Sequence, residues 1–154
     1  MLAPQTIYHR MRSLNKRMAA NYQRGIGPAR VVLLLTTTGR RSGLAHVTPL
    51  QFEKIGDDFY IASARGVKAD WYCNILANPQ VHVQVQDRQF PALAELICDP
   101  QRIADFLELR LQRHPIMIRL IMHLADGLPL RFDRSDLLKL GESKALVILH
   151  PEKN

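Results

Sequence analysis

The stretch VVLLLTTTGRRSGLAHVTPLQF, residues 31–52, decides how the chain is read. An apolar, β-branched run stops at Gly39-Arg40-Arg41-Ser42-Gly43 and a second strand-like run begins beyond it, which predicts a β-hairpin with a cationic tip. Two glycines are expected to adopt positive φ at the two ends of that turn. Between them, two guanidinium groups, a hydroxyl and free backbone N–H groups converge on a small volume that suits a phosphate or a carboxylate. Taken alone, the same tip also reads as a solvated basic turn.

Working outward, strands are expected at about residues 31–38, 45–54, 58–64, 80–86 and 89–97. Val81, Val83 and Val85 alternate with His82, Gln84 and Gln86, the pattern of a half-buried antiparallel strand, and Asp87-Arg88 turns the chain into the next. Pro49 inside a strand marks an edge or a bulge. Asp70 is the expected N-cap of a short helix that Asn78-Pro79 ends. Asp99-Pro100 starts a second helix, with Ile103, Phe106, Leu107 and Leu111 on one face. His114-Pro115 separates it from residues 116–124, which are apolar on most faces and so are expected to be buried or oligomeric, and Asp126-Gly127 stops them. A short helix near residues 135–140 and a strand at 145–149 complete the chain. Upstream, Ile7, Met11, Leu14, Met18 and Tyr22 fall at helical spacing among arginines and lysines, an amphipathic helix that either covers the strands or lies on a membrane.

A length of 154 residues with 47% hydrophobic content fits one globular domain, residues 1–154. The formal charge of +7 is unevenly placed: residues 1–52 contain eight lysines and arginines and no acidic residue. Such a segment attracts polyanions, although nucleic acid is disfavoured because the basic residues are not interleaved with aromatics. No apolar run approaches a transmembrane length and the amino terminus lacks the features of a signal peptide, so the expected location is the cytoplasm, with membrane association through the basic helix as the variant. Cys73 and Cys98 form no CxxC, and the six histidines form no HxH or HExxH pair, so no metal site is expected. There is no GxSxG elbow, GRRSG lacks the lysine and following helix of a P-loop, and the GxG at residues 25–27 precedes a strand instead of following one. These absences set aside serine hydrolase, P-loop and dinucleotide-fold chemistry.

Four motifs in order carry a resemblance: GRRSG at 39–43, Thr48-Pro49-Leu50, the strand end Ile61-Ala62-Ser63 with Gly66, and D-W-Y-x-N-I-x-A-N-P-x-V-x-V over residues 70–83. Together they resemble the deazaflavin-dependent nitroreductase and quinone reductase family, in register over about residues 30–86. In one respect the chain departs from that family: Asp70 directly precedes Trp71 in a short loop, where better-known members carry a Pro two residues before the Trp within a longer Gly-rich loop.

The resemblance implies a mainly β fold with flanking helices (α+β), a split β-barrel of the flavin- and deazaflavin-binding type. Its parts would be an N-terminal helix at 1–24, barrel strands at 30–97, a helical segment at 100–141 and a final strand at 144–150. It implies an oxidoreductase that passes hydride from reduced coenzyme F(420), an 8-hydroxy-5-deazaflavin, to a small apolar acceptor such as a quinone, enone or nitroaromatic. Arg40, Arg41, Ser42 and Gly43 would hold the cofactor's phosphate and acidic tail, with Lys68 as a second tail contact. Thr48, Pro49 and Leu50 would line the ring, Ala62, Ser63, Ala64 and Arg65 would face it, and Trp71 and Asn74 would fix the wall of the site. Tyr60 and Tyr72 are the candidate proton donors, and the helices between residues 103 and 124 would close an apolar substrate side. The alternatives are an FMN-binding split barrel using the same arginines, and a non-catalytic cofactor-binding or membrane-associated module. A homodimer is compatible with either.

Overall fold

The computed structural model describes residues 32–63 and 65–153. The amphipathic helix expected at residues 7–22 and the site residue Ala64 lie outside the described residues. Seven strands follow in chain order: β1 (Val32–Thr38), β2 (Ala45–Gln51), β3 (Glu53–Ile55), β4 (Asp58–Ser63), β5 (Gln80–Val85), β6 (Arg88–Ile97) and β7 (Ala145–Pro151). They form one antiparallel sheet in the order β2-β1-β5-β6-β7-β4-β3. β2 and β3 are therefore opposite edges of the sheet, yet only Phe52 separates them in the chain. One residue spans about 3.5 Å whereas seven flat strands would span about 29 Å, so the sheet must curl until its edges approach. The single strand expected at 45–54 is accordingly two: Gln51 pairs with Val32 and Glu53 with Tyr60, and the chain changes edges between them.

The period of two along each strand sorts side chains into an inside and an outside. Leu33, Leu35, Ile61, Val83, Val147 and Leu149 are fully buried inside the curl. Helix α1 (Asp70–Ala77) adds Trp71, Tyr72 and Ile75 to the same core. On the outside, Tyr60, Ala62, Ile97, Leu146 and Ile148 meet three helices, α2 (Pro100–Arg113), α3 (Pro115–Asp126) and α4 (Arg134–Ser143), through Ile103, Phe106, Leu107, Ile118, Met122 and Leu137.

Local chemistry sets the helix ends. The Asp99 carboxylate accepts from the Gln101 N–H at 3.0 Å with Pro100 in the first turn, α3 stops at Gly127 with φ 71°, and Asp133 and Asp136 form a reciprocal capping box on α4. Within the chain α3 is buried on one side only. Ile118 and Met122 reach the outer core, while Ile116 and Leu124 are 84% and 74% exposed, so of the expected alternatives, buried or oligomeric, burial within the chain accounts for one side of this helix only.

An ionic hub locks the crossing from β2 to β3. Glu53 is almost fully buried and receives Arg113 Nη1 at 3.1 Å and His114 Nε2 at 3.2 Å, while Arg110 Nε lies 3.7 Å away. Arg110 also donates to Gln51 Oε1 at 2.8 Å, and Arg113 to the Lys54 carbonyl at 3.0 Å. The end of α2 thus grips residues on both sides of Phe52. At 3.7 Å the Arg110 Nε is in ion-pairing range but too far for a hydrogen bond, and it is a buried nitrogen without such a bond; burial lowers the Arg110 pKa from its ordinary value, with Glu53 opposing the shift.

Two predictions follow from these charges. Replacing the hub carboxylate, Glu53→Ala, leaves half-buried arginine without a counter-charge and is expected to cost about 3 kcal/mol in urea unfolding, with Arg113→Ala much milder because that side chain is more exposed. Farther along β7, His150 bridges Asp58 at 3.0 Å and Glu95 at 3.1 Å, and its pKa is raised mainly by the Glu95 hydrogen bond and also by Asp58, against burial. A raised histidine pKa contributes stability that is complete below the unfolded value of about 6.5 and is lost as pH rises through the folded value. Thermal melts of wild type should therefore fall by roughly 1–2 °C across that window, the group being solvent-screened, and His150→Gln should remove the dependence.

Candidate functional site

The tip of the β1–β2 hairpin is a single helical turn. The Gly43 N–H donates to the Gly39 carbonyl at 2.8 Å, the Gly39 N–H donates to the Leu44 carbonyl at 2.7 Å, and Ser42 Oγ accepts from the Leu44 N–H at 3.2 Å. Gly43 has φ 70°, as expected, but Gly39 is not in the left-handed region. At Gly39 the constraint is side-chain crowding instead: a Cβ there would sit 2.7 Å from both Ser42 Oγ and His46 Nε2, so these exposed side chains would have to turn away.

Asn74 joins this turn to α1. Its Oδ1 accepts from the Arg40 backbone N–H at 3.2 Å and from Arg40 Nη1 at 2.9 Å, and its Nδ2 donates to Thr37 Oγ1 at 3.1 Å. Arg40 also donates to the Asp70 carbonyl and pairs with the Asp70 carboxylate, each at 3.4 Å. The start of α1 therefore sits beside the cationic tip, and Asp70 offsets the repulsion between the positive helix end and Arg40. Asp70 is the first residue of the helix and not its N-cap; Ala69 occupies that position and makes no side-chain cap.

The two arginines are thus unlike. Arg40 braces the turn, whereas Arg41 is exposed and has no hydrogen bond or ion pair among the described residues. Lys68, at the end of the 3-10 turn Gly66–Lys68 and two residues before Asp70, is likewise exposed and unpaired among the described residues. Arg65 is exposed at the exit of β4.

Strand register places the other candidates. Thr48 and Leu50 lie opposite Leu35 and Leu33 and so share the inner face, and Pro49 lies opposite Leu34 on the outer face of β2, an edge strand. Ser63 is buried on the inner side and donates to the Gly66 carbonyl at 2.6 Å, while Ala62 packs outside against the helices. Adjacent positions of one strand thus point to opposite faces. Trp71 is 8% exposed within the inner core, edge-on to Tyr72 at 6.2 Å. The Tyr72 hydroxyl is 3.3 Å from Cys98 Sγ, and burial, with this contact adding to it, pushes its pKa up to about 12. Tyr60 stacks on Phe106 outside the sheet, with ring centroids 5.9 Å apart.

The structure therefore gathers Arg40, Asn74 and the tip, and separates Tyr60 and Ala62 from Thr48 and Leu50. It adds Thr37 and a bracing role for Asp70, neither of which the sequence reading singled out. Thr37 had a signal: it shares a face with Leu33 and Leu35, and a polar group on a buried apolar face needs a partner.

The curled sheet, with α1 against its inner core and helices on its outer face, is a split β-barrel. The family model for F(420)H(2)-dependent quinone reductase matches residues 5–116, and the chain belongs to that family. An F(420)H(2)-dependent quinone reductase of Mycobacterium tuberculosis is 33% identical over 66 residues, which cover 41% of this chain and 44% of that protein, so the chain spans under half the length of the curated relatives it matches. Among solved structures, an F(420)-H(2) dependent reductase superposes with a TM-score of 0.53 at 22% identity, covering 79% of this chain and 95% of that one. A protein described as a domain-swapped dimer gives a TM-score of 0.56 at 20% identity, covering 95% and 99%. Both structural likenesses concern the fold.

The bracing geometry yields a test. Asn74→Leu leaves the Arg40 N–H and the Thr37 hydroxyl without their partner and is expected to cost about 2–3 kcal/mol in denaturant unfolding. Asn74→Asp should cost less, since a carboxylate can accept from Arg40 and the Thr37 hydroxyl can turn to donate. Equal losses for both variants would show that the Nδ2–H donated to Thr37, which Asp lacks, and not the acceptance from Arg40, holds the tip.

Proposed function

We propose that the chain binds coenzyme F(420) at the braced hairpin and serves hydride transfer from the reduced cofactor to a small apolar acceptor such as a quinone, enone or nitroaromatic. The observation that carries this reading is the division of labour at the tip, in a chain that belongs to a family described by that cofactor. Arg40 is engaged by Asn74 and Asp70, which stiffens the turn, and Arg41 beside it has no partner among the described residues. A fixed turn with one guanidinium uncommitted among the described residues, and with Lys68, also unpaired among them, two residues before Asp70, fits an anionic tail. The deazaflavin ring, when bound, supplies the hydride; the protein's task is to orient and to exclude water.

On this reading Arg41, Ser42, Gly43 and Lys68 hold the tail, while Thr48 and Leu50 support the ring from the inner face of β2 and Pro49 leaves the edge without one N–H. Ser63, Arg65, Trp71 and Asn74 act on the wall, Ser63 and Asn74 by fixing backbone through their hydrogen bonds. Neither tyrosine is well placed to give the proton that completes acceptor reduction: the Tyr72 hydroxyl is buried against Cys98 and Tyr60 stacks among the helices. We assign that proton to solvent. The FMN alternative has no support in the family match.

The arginines make the reading testable by fluorescence titration. Arg41→Ala should weaken coenzyme F(420) by roughly tenfold to a hundredfold, the range of a charge-assisted contact, and leave a tail-less analogue unchanged. Arg40→Ala should lower stability first. Unchanged affinity in Arg41→Ala would remove the tip from the site.

A further inference from the structure

Helix α3 turns a continuous apolar stripe to solvent. Ile116, Leu120 and Leu124 follow one another at successive turns, with Met117 and Ile121 beside them, and these five are 84%, 50%, 74%, 40% and 37% exposed. The outer core uses only Ile118 and Met122 from this helix. The stripe widens at Leu130, which Arg119 holds by donating to its carbonyl at 2.8 Å while the guanidinium lies 4.8 Å from the Phe132 ring centre. A groove of about 300 Å³ runs between Pro115, Ile116, Arg119, Leu120 and Leu130. No described helix is long and apolar enough to cross a membrane.

The charges around the stripe decide between occupants. Residues 113–131 hold three arginines against one acid, Asp126, and that acid is paired with Lys144 at 3.0 Å. Arg113 is engaged by Glu53, whereas Arg119 and Arg131 have no carboxylate partner among the described residues. A second copy of the chain docked on this face would bring like-charged rims together across the symmetry axis. An apolar centre with uncompensated arginines at its rim instead complements acyl chains beneath phosphate headgroups.

We propose that α3 and Leu130 form a docking face for an anionic lipid surface, with α3 lying in the membrane plane, its leucines and isoleucines at the acyl boundary and Arg119 and Arg131 at the phosphates. The proposal needs no cofactor and stands independently of the catalytic reading. Residues 1–31 carry six further basic residues, so binding by wild type alone does not assign the face; variants within it do. The full chain would be sedimented with vesicles of phosphatidylcholine alone and of phosphatidylcholine with phosphatidylglycerol. Wild type should favour the anionic vesicles. The double variant Leu120→Gln, Leu124→Gln should bind both kinds roughly tenfold more weakly, since two leucines are withdrawn from the acyl boundary. Arg131→Gln should lose roughly fivefold on anionic vesicles only. All three side chains are exposed, and circular dichroism would confirm that the variants fold. Failure of wild type to bind either vesicle, equal binding by wild type and the double variant, or a concentration-dependent dimer that the double variant abolishes in the absence of vesicle binding, would overturn the proposal.

Discussion

The side chain of Asn74 answers three demands at once: a buried threonine hydroxyl on β1, the backbone N–H of Arg40, and the Arg40 guanidinium. Its own backbone belongs to α1, whose Trp71, Tyr72 and Ile75 are part of the inner core. The amide therefore transmits the position of a packed helix to an otherwise exposed loop. Without it the tip would hold its internal turn, but its orientation to the barrel would rest on the exposed Arg40–Asp70 pair, and exposed pairs contribute little. A ligand-binding turn needs fixed orientation more than it needs charge, because ordering a loose loop opposes binding.

At the far end of β2 a different device does the same work. The chain crosses from one sheet edge to the other at Phe52, and Glu53 with its arginines and histidine pins that crossing to α2 and to the start of α3. β2 is thus held at both ends by polar contacts of long sequence separation, and between them by its pairing with β1. The inner positions Thr48 and Leu50 inherit their placement from these two clamps.

Much of this frame was legible in the chain. Alternation at Val81, Val83 and Val85 identified β5, Asp99-Pro100 and Asp126-Gly127 marked real helix ends, and the motif order pointed to the split barrel. The unequal roles of Arg40 and Arg41 were not legible, since they arise from a contact 34 residues away that composition cannot reveal. The break at Phe52 was hidden because residues on either side are equally strand-like, and only the sheet order requires a change of edge there. Periodicity showed that α3 is apolar over most of its circumference, but not that its fold offers a partner to one side only.

The place of Pro49 carries a final consequence. β2 is outermost in the sheet, and proline is tolerated in such a strand when the missing N–H lies on the open side. The free row of backbone donors and acceptors is then interrupted near its middle, while the other outermost strand, β3, is only three residues long. Neither border offers an uninterrupted template on which an extended segment could add itself. The barrel is thereby guarded against amyloid-like stacking through its strands.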